Sequence, residues 1–230
     1  MTRLVLVAEM TSRDLWRRRA VLGLLVLMPL AFYLSRRDST GLAVRFVSLG
    51  LAWAVSTAAL FSSNAAKGVE RRLRLGGYRA VELYLGRLSA VVAIGAALAF
   101  GYFALVAVDQ DLTRTGTILV MLLLAVTVAA PFGTLVSAVT PRDLEGTLVL
   151  ITVIGLQFLI DPVQSSAKLL PFWSIRELAT YAVDMTDDGY LWRGVLHAVA
   201  YAGAVTVAAA AITFVRLRRR RHVRIVASPR

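Results

Sequence analysis

Residues 67–88, KGVERRLRLGGYRAVELYLGRL, decide how the rest of the chain is read. The stretch holds six basic side chains, Lys67, Arg71, Arg72, Arg74, Arg79 and Arg87, against two carboxylates, Glu70 and Glu82. Apolar runs flank it at 43–63 and 88–108. Each is about 20 residues, enough for a helix to cross roughly 30 Å of hydrocarbon. A charged insert between two such runs belongs in water, so the runs read as two crossings and the insert as the loop that joins them.

The composition agrees. The chain has 230 residues, 58% of them hydrophobic, a net charge of +12 and a mean hydropathy of +0.69. These values fit a polytopic membrane protein rather than a soluble domain. A soluble nucleic-acid binder can be as basic, but its charge does not alternate with runs of membrane-spanning length, so no nucleic-acid partner is expected. There is no cysteine, which excludes disulfides, thiolate chemistry and sulfur-ligated metals.

Apolar runs lie at 20–34, 43–63, 88–108, 116–139, 146–160 and 195–215. The expected fold is an all-α integral membrane protein of one domain, with six transmembrane helices and both termini on one side. The first and fifth runs are short for a full crossing. Lys and Arg in short loops set the orientation. The N-terminal segment 1–19 (Arg3, Arg13, Arg17, Arg18, Arg19), the loop 64–87 and the tail 216–230 (Arg216, Arg218, Arg219, Arg220, Arg221, Arg224) share one face, which is expected to be cytoplasmic. The other face holds Asp109 and Asp111 against Arg114, and the segment 161–194 with five acids and three bases. Arg36, Arg37 and Arg45 run against this pattern in the first outer loop.

Basic residues precede the first apolar run, but its end, AFYLSRR, has no small-x-small cleavage site, so a retained span is expected. Before it, Leu4, Val7, Ala8, Thr11 and Leu15 fall at helical spacing opposite Arg3, Glu9, Arg13 and Arg17, with Trp16 at the interface. This predicts an amphipathic helix on the cytoplasmic leaflet, with anionic lipid as partner of its arginines. In the fourth run, Pro131 and Gly133 predict a kink or a freed carbonyl, or the ordinary tolerance of membrane helices for Pro. The segment 161–194 is too polar to cross, yet groups Leu169, Leu170, Phe172 and Trp173 around Pro171. It predicts two short re-entrant or interfacial helices broken at Pro171, with Tyr190 and Trp192 marking the interface.

Catalytic constellations are missing. His197 and His222 have no metal-ligand partner at i+3 or i+4, so no metal site is expected. No phosphate loop ending in Gly-Lys-Ser/Thr occurs, so the chain itself is not expected to bind ATP or any cofactor. A membrane enzyme acting on lipid would need clustered acids or histidines near one interface, and none are seen. Ser56, Thr57, Asn64, Gln157 and Asp161 are candidates for a substrate pathway lined by the second and fifth spans; the alternative for the hydroxyls is helix-to-helix hydrogen bonding. Gly95 with Ala99, and Ala97 with Gly101, predict close helix packing on the third span.

Within 67–88, Glu70 and Arg74 stand at i, i+4, Gly76 and Gly77 interrupt the helix, and Val81, Tyr84, Leu85 and Leu88 resume an apolar face. A short charged helix at about 68–75, a glycine turn and a lead-in at 82–88 are predicted, forming either a surface for another protein or a simple positive-inside loop. The order of elements resembles the membrane permease subunit of type 2 ABC exporters. Those permeases often read GTLE, then apolar residues, a Pro-containing turn and ELLLGKLL. Here Gly68, Val69 and Glu70 give a GVE one residue short of the first part, and ELYLGRLS, Glu82 to Ser89, is similar to the second, with Gly77 where Pro is usual.

The resemblance implies a coupling helix that docks on a separate ATPase subunit through Gly68, Glu70, Arg71, Arg72, Arg74, Gly76, Gly77 and Glu82. It also implies pairing with a second permease subunit, identical or related, ATP and Mg held by the partner, and a non-enzymatic export role in a bacterial plasma membrane for an amphipathic or apolar substrate. The haem-handling membrane subunit of cytochrome c maturation has a similar size and span count but usually lacks so long a basic tail. A membrane anchor or immunity protein would need no site at all.

Overall fold

Unbroken runs of apolar and helix-favouring residues fold as helices throughout. The computed structural model describes residues 2–160, 164–184 and 186–218, without the side chains of Arg71 and Arg218, and every regular element among them is helical. Asp161 and the tail from Arg219 onward, including His222, lie outside the described residues. In chain order the elements are α1 (Arg3–Arg17), α2 (Arg19–Leu34), α3 (Thr40–Leu75), α4 (Ala80–Asp109), α5 (Thr115–Val139), α6 (Asp143–Leu159), a 3₁₀ turn (Ser165–Leu169), α7 (Trp173–Val183) and α8 (Asp188–Arg218).

Four of these, α3, α4, α5 and α8, are long and apolar enough to cross a membrane. α2 is apolar but has 16 residues, about 24 Å of rise, and α6 has 17. α3 and α5 form the centre: 78% and 67% of their most apolar stretches are buried, against 28% in α4 and in α8. The outer faces of α4 and α8 therefore stay open to lipid or to another chain.

Close approach at the centre depends on glycine. A Cβ on Gly133 would lie 2.0 Å from the Ser56 carbonyl oxygen, so α5 can touch the α3 backbone only without a side chain there. Ser56 Oγ donates to the Ala129 carbonyl at 3.1 Å across the same crossing. Pro131 sits two residues before Gly133 inside an α5 that runs unbroken from Thr115 to Val139. α2 meets α3 in the same manner, with Gly50 against Pro29, where an added Cβ would come within 2.8 Å of Pro29 Cα. On α4, Gly95 packs against Val126 and Val55 and Ala99 is fully buried, whereas Ala97 is exposed and Gly101 meets nothing. Only the first of the two small-residue pairs serves packing within the chain.

Two expectations are revised. The charged stretch 68–75 is not a separate short helix: α3 runs through it without a break for 36 residues, about 54 Å. Polarity changes near Asn64, but Ala65, Ala66, Lys67, Glu70 and Leu73 all favour helix, and only Gly68 opposes it. The apolar face of α1 is covered by protein, not left for lipid: Val7 is 5% and Leu15 0% exposed. It lies on α4 at Gly86, where a Cβ would meet Val7 Cβ at 2.7 Å and the Leu4 carbonyl at 2.8 Å. α7, after the turn at Pro171, buries Trp173, Ile175, Glu177, Leu178, Ala179 and Ala182, and packs on α8, α5 and α3.

Of the arginines that ran against the charge pattern, Arg37 and Arg45 are paired with carboxylates at the end of the bundle remote from 67–88, and Arg36 lies over the Phe46 ring. Arg37 Nε donates to Asp109 Oδ2 at 2.9 Å, and Tyr33 donates to the same carboxylate. Arg45 meets Asp184 at 3.1 Å. Arg114 donates to the carbonyls of Tyr181 and Thr186, both at 2.9 Å, and stacks on the Tyr181 ring. These cations staple the loops of that end to one another.

Candidate functional site

The junction of α3 and α4 is an elbow whose tip is glycine. Gly77 takes φ +85°, a left-handed conformation that glycine adopts without strain. Gly76 N–H and Tyr78 N–H donate to the carbonyls of Arg72 and Leu73, closing the last turn of α3. Glu82 then caps α4, its Oε2 accepting the Arg79 N–H at 2.6 Å. Arg3, from the start of α1, reaches the Gly77 carbonyl and lies over the Tyr78 ring. The glycines and Glu82 thus build the elbow.

Below the tip, α3 carries a buried carboxylate. Glu70 is 3% exposed; its Oε1 accepts from Arg87 of α4 at 2.6 Å and its Oε2 from Arg216 of α8 at 2.7 Å. Arg87 is itself 6% exposed. A buried ion is tolerated only with its partner and further hydrogen bonds in place, so this triad fixes α3, α4 and α8 relative to one another. One turn earlier, Lys67 Nζ donates to the carbonyls of Ser137 and Thr140, at 2.6 and 3.2 Å. Those carbonyls end α5, where the helix has no donors left of its own. Asn64 accepts from Ser137 Oγ at 2.7 Å and donates to Asp143 of α6 at 2.5 Å. From Asn64 to Glu70, α3 thereby binds α4, α5, α6 and α8 in turn.

What remains outside is the tip. Gly68, Arg72, Arg74, Leu75, Gly76, Gly77 and Arg79 are exposed, and Leu75 is 89% exposed. Glu70, expected at a docking surface, faces inward instead, because two guanidinium groups from other helices hold it there. The side chain of Arg71 is outside the described residues. Within ELYLGRLS three residues have local structural roles: Glu82 caps, Gly86 admits α1 and Arg87 neutralises Glu70.

The pathway candidates are not brought together. Ser56 joins the α3–α5 crossing, Thr57 is buried beside it, and Asn64 belongs to the polar network of the elbow. Gln157 lies at the remote end, on a partly enclosed cavity of about 210 Å³ shared with Leu42, Phe46 and Leu49 of α3. Sequence reasoning missed Arg87 and Arg216 as partners of Glu70; the separations of 17 and 146 residues carry no periodic signal. It also missed Pro29 opposite Gly50. Among the described residues no group of His, Asp and Glu is placed to hold a metal ion. His197 is instead held by the Lys168 carbonyl at 2.9 Å and by the rings of Trp173 and Tyr201.

No protein-family model matches the chain, and no curated protein sequence matches it.

Proposed function

We propose that this chain is the membrane permease subunit of an ATP-driven exporter of the type 2 ABC class. The elbow is the observation that supports the reading. A basic, glycine-tipped projection with an almost fully exposed Leu75 is bound into four other helices by buried ionic and hydrogen-bond contacts directly beneath it. A docked partner that moves this tip moves the helices with it. The basic tip suits an acidic recess on a cytoplasmic ATPase, which would hold ATP and Mg and perform the hydrolysis.

In this reading α2, α3, α4, α5, α6 and α8 are the six crossings, with both termini in the cytoplasm of a bacterium and the chain in its plasma membrane. Two permease subunits enclose the route for an amphipathic or apolar substrate. In that pair α6 offers an apolar face, with Leu144, Leu148, Ile151 and Leu159 exposed, on which the second subunit can pack. ATP-dependent closure of the partner would favour one of two arrangements of the pair by binding it more tightly.

The test is purification of the intact protein from its native membrane in mild detergent. An ATPase subunit should co-purify, and a Leu75→Asp, Arg72→Glu, Arg74→Glu variant should lose it while keeping its thermal unfolding midpoint. Purification of the parent protein free of any ATPase would overturn the reading.

A further inference from the structure

The cavity at the remote end has an unusual inventory of polar atoms. Its walls are apolar and aromatic, with Phe46 of α3 and Phe158 of α6 in ring contact at 5.0 Å. The polar side chains that line it are Arg45, Gln157, Trp173 and Arg176: two cations, an amide and an indole, with no carboxylate among the described lining residues. Three donor atoms carried by these lining side chains are buried and find no acceptor among the described residues: Arg45 Nε, Gln157 Nε2 and the indole N–H of Trp173. Trp173 is only 8% exposed, so water does not satisfy it from outside. Arg45 uses its Nη2 on Thr180 and Asp184, which leaves Nε as the group without a partner.

Buried donors without acceptors cost folding free energy, so a cavity whose lining side chains carry three of them is suited to a guest that brings the acceptors and draws those side chains toward it. A volume of about 210 Å³ accommodates a compact head group and the first few carbons of a chain, not a large polycyclic molecule. We propose that this cavity binds the oxygen-rich anionic head of an amphiphile, a carboxylate or phosphate ester, with its apolar chain against Phe46 and Phe158. As an exported cargo this ligand rests on the export reading above; as an occupant of the cavity it does not.

The intact protein in phosphatidylcholine nanodiscs is titrated with hexanoate, hexyl phosphate and hexyltrimethylammonium by calorimetry. Both anions should bind saturably and the cation should not. Gln157→Leu and Trp173→Phe, which each remove one donor and no ion pair, should each weaken anion binding by about tenfold. Equal affinity in the parent and both variants, preference for the cation, or no saturable binding overturns the site. Adding phosphatidic acid to the nanodiscs separates two sources of the same chemistry: competition assigns the site to a membrane lipid, and its absence to an amphiphile arriving from water. A protein that carries an ATPase but binds neither anion loses this site and keeps the export reading; one that binds them without an ATPase does the reverse.

Discussion

Glu70 holds two guanidinium groups at once, and its removal leaves Arg87 buried without a counter-charge. Uncompensated burial of this kind costs about 3 kcal/mol or more, whereas replacing both members by neutral groups costs much less. Glu70→Gln should therefore lower the thermal midpoint in detergent sharply, and Glu70→Gln with Arg87→Gln should recover part of the loss. Glu177 on α7 offers the opposite case. Arg193 Nε comes within 3.2 Å of its Oε2 without the alignment of a hydrogen bond. Burial pushes the Glu177 carboxyl up, and Arg193, Arg176 and Lys168 only partly oppose this. A carboxyl raised in the folded state favours folding in its protonated form. That contribution is fully present below the ordinary carboxylate value of about 4 and is lost as pH rises through the folded value. The midpoint should fall over that window in the parent protein, and Glu177→Gln should flatten the fall and unfold later at neutral pH.

Helix crossings are where single atoms decide the fit. Gly133→Ala places a methyl group 2.0 Å from a backbone oxygen that has no freedom to rotate away, so α3 and α5 must separate; a loss of about 2 kcal/mol or more is expected by thermal or denaturant unfolding. Gly101→Ala, on the open face of α4, should leave stability unchanged or slightly raised. The positions of the helices could be read from the sequence because long apolar runs announce themselves: 116–139 became Thr115–Val139, and even the shorter 20–34 became Arg19–Leu34. The Gly76–Gly77 turn was equally legible. The unbroken course of α3 was not, because a change from apolar to charged side chains at Asn64 alters the solvent a helix prefers without altering its tendency to be helical. Nor was the burial of Glu70, since helices far apart in sequence, α4 and α8, supply what makes it tolerable.

For the whole molecule, the first matter to test is which ends face which side. The natural chain has no cysteine, so single cysteines introduced at exposed positions report without background. Leu75→Cys should be labelled by an impermeant maleimide only from the cytoplasmic side, and Asp111→Cys only from outside; labelling of both from one side would exclude the six-crossing arrangement. The length of α3 has a mechanical consequence. Its tight crossing at Ser56 lies about 28 Å from Leu75 and about 24 Å from Thr40, so one continuous helix joins the elbow to the wall of the cavity. A tilt of about 5° about that crossing, shared with the helices bound to its lower half, would swing the elbow by about 2.5 Å and carry Leu42, Phe46 and Leu49 in the cavity wall about 1 to 2 Å the other way. A push on one side of the protein would in this way loosen or tighten the grip on a guest at the other, with no chain of intermediate contacts required to relay it.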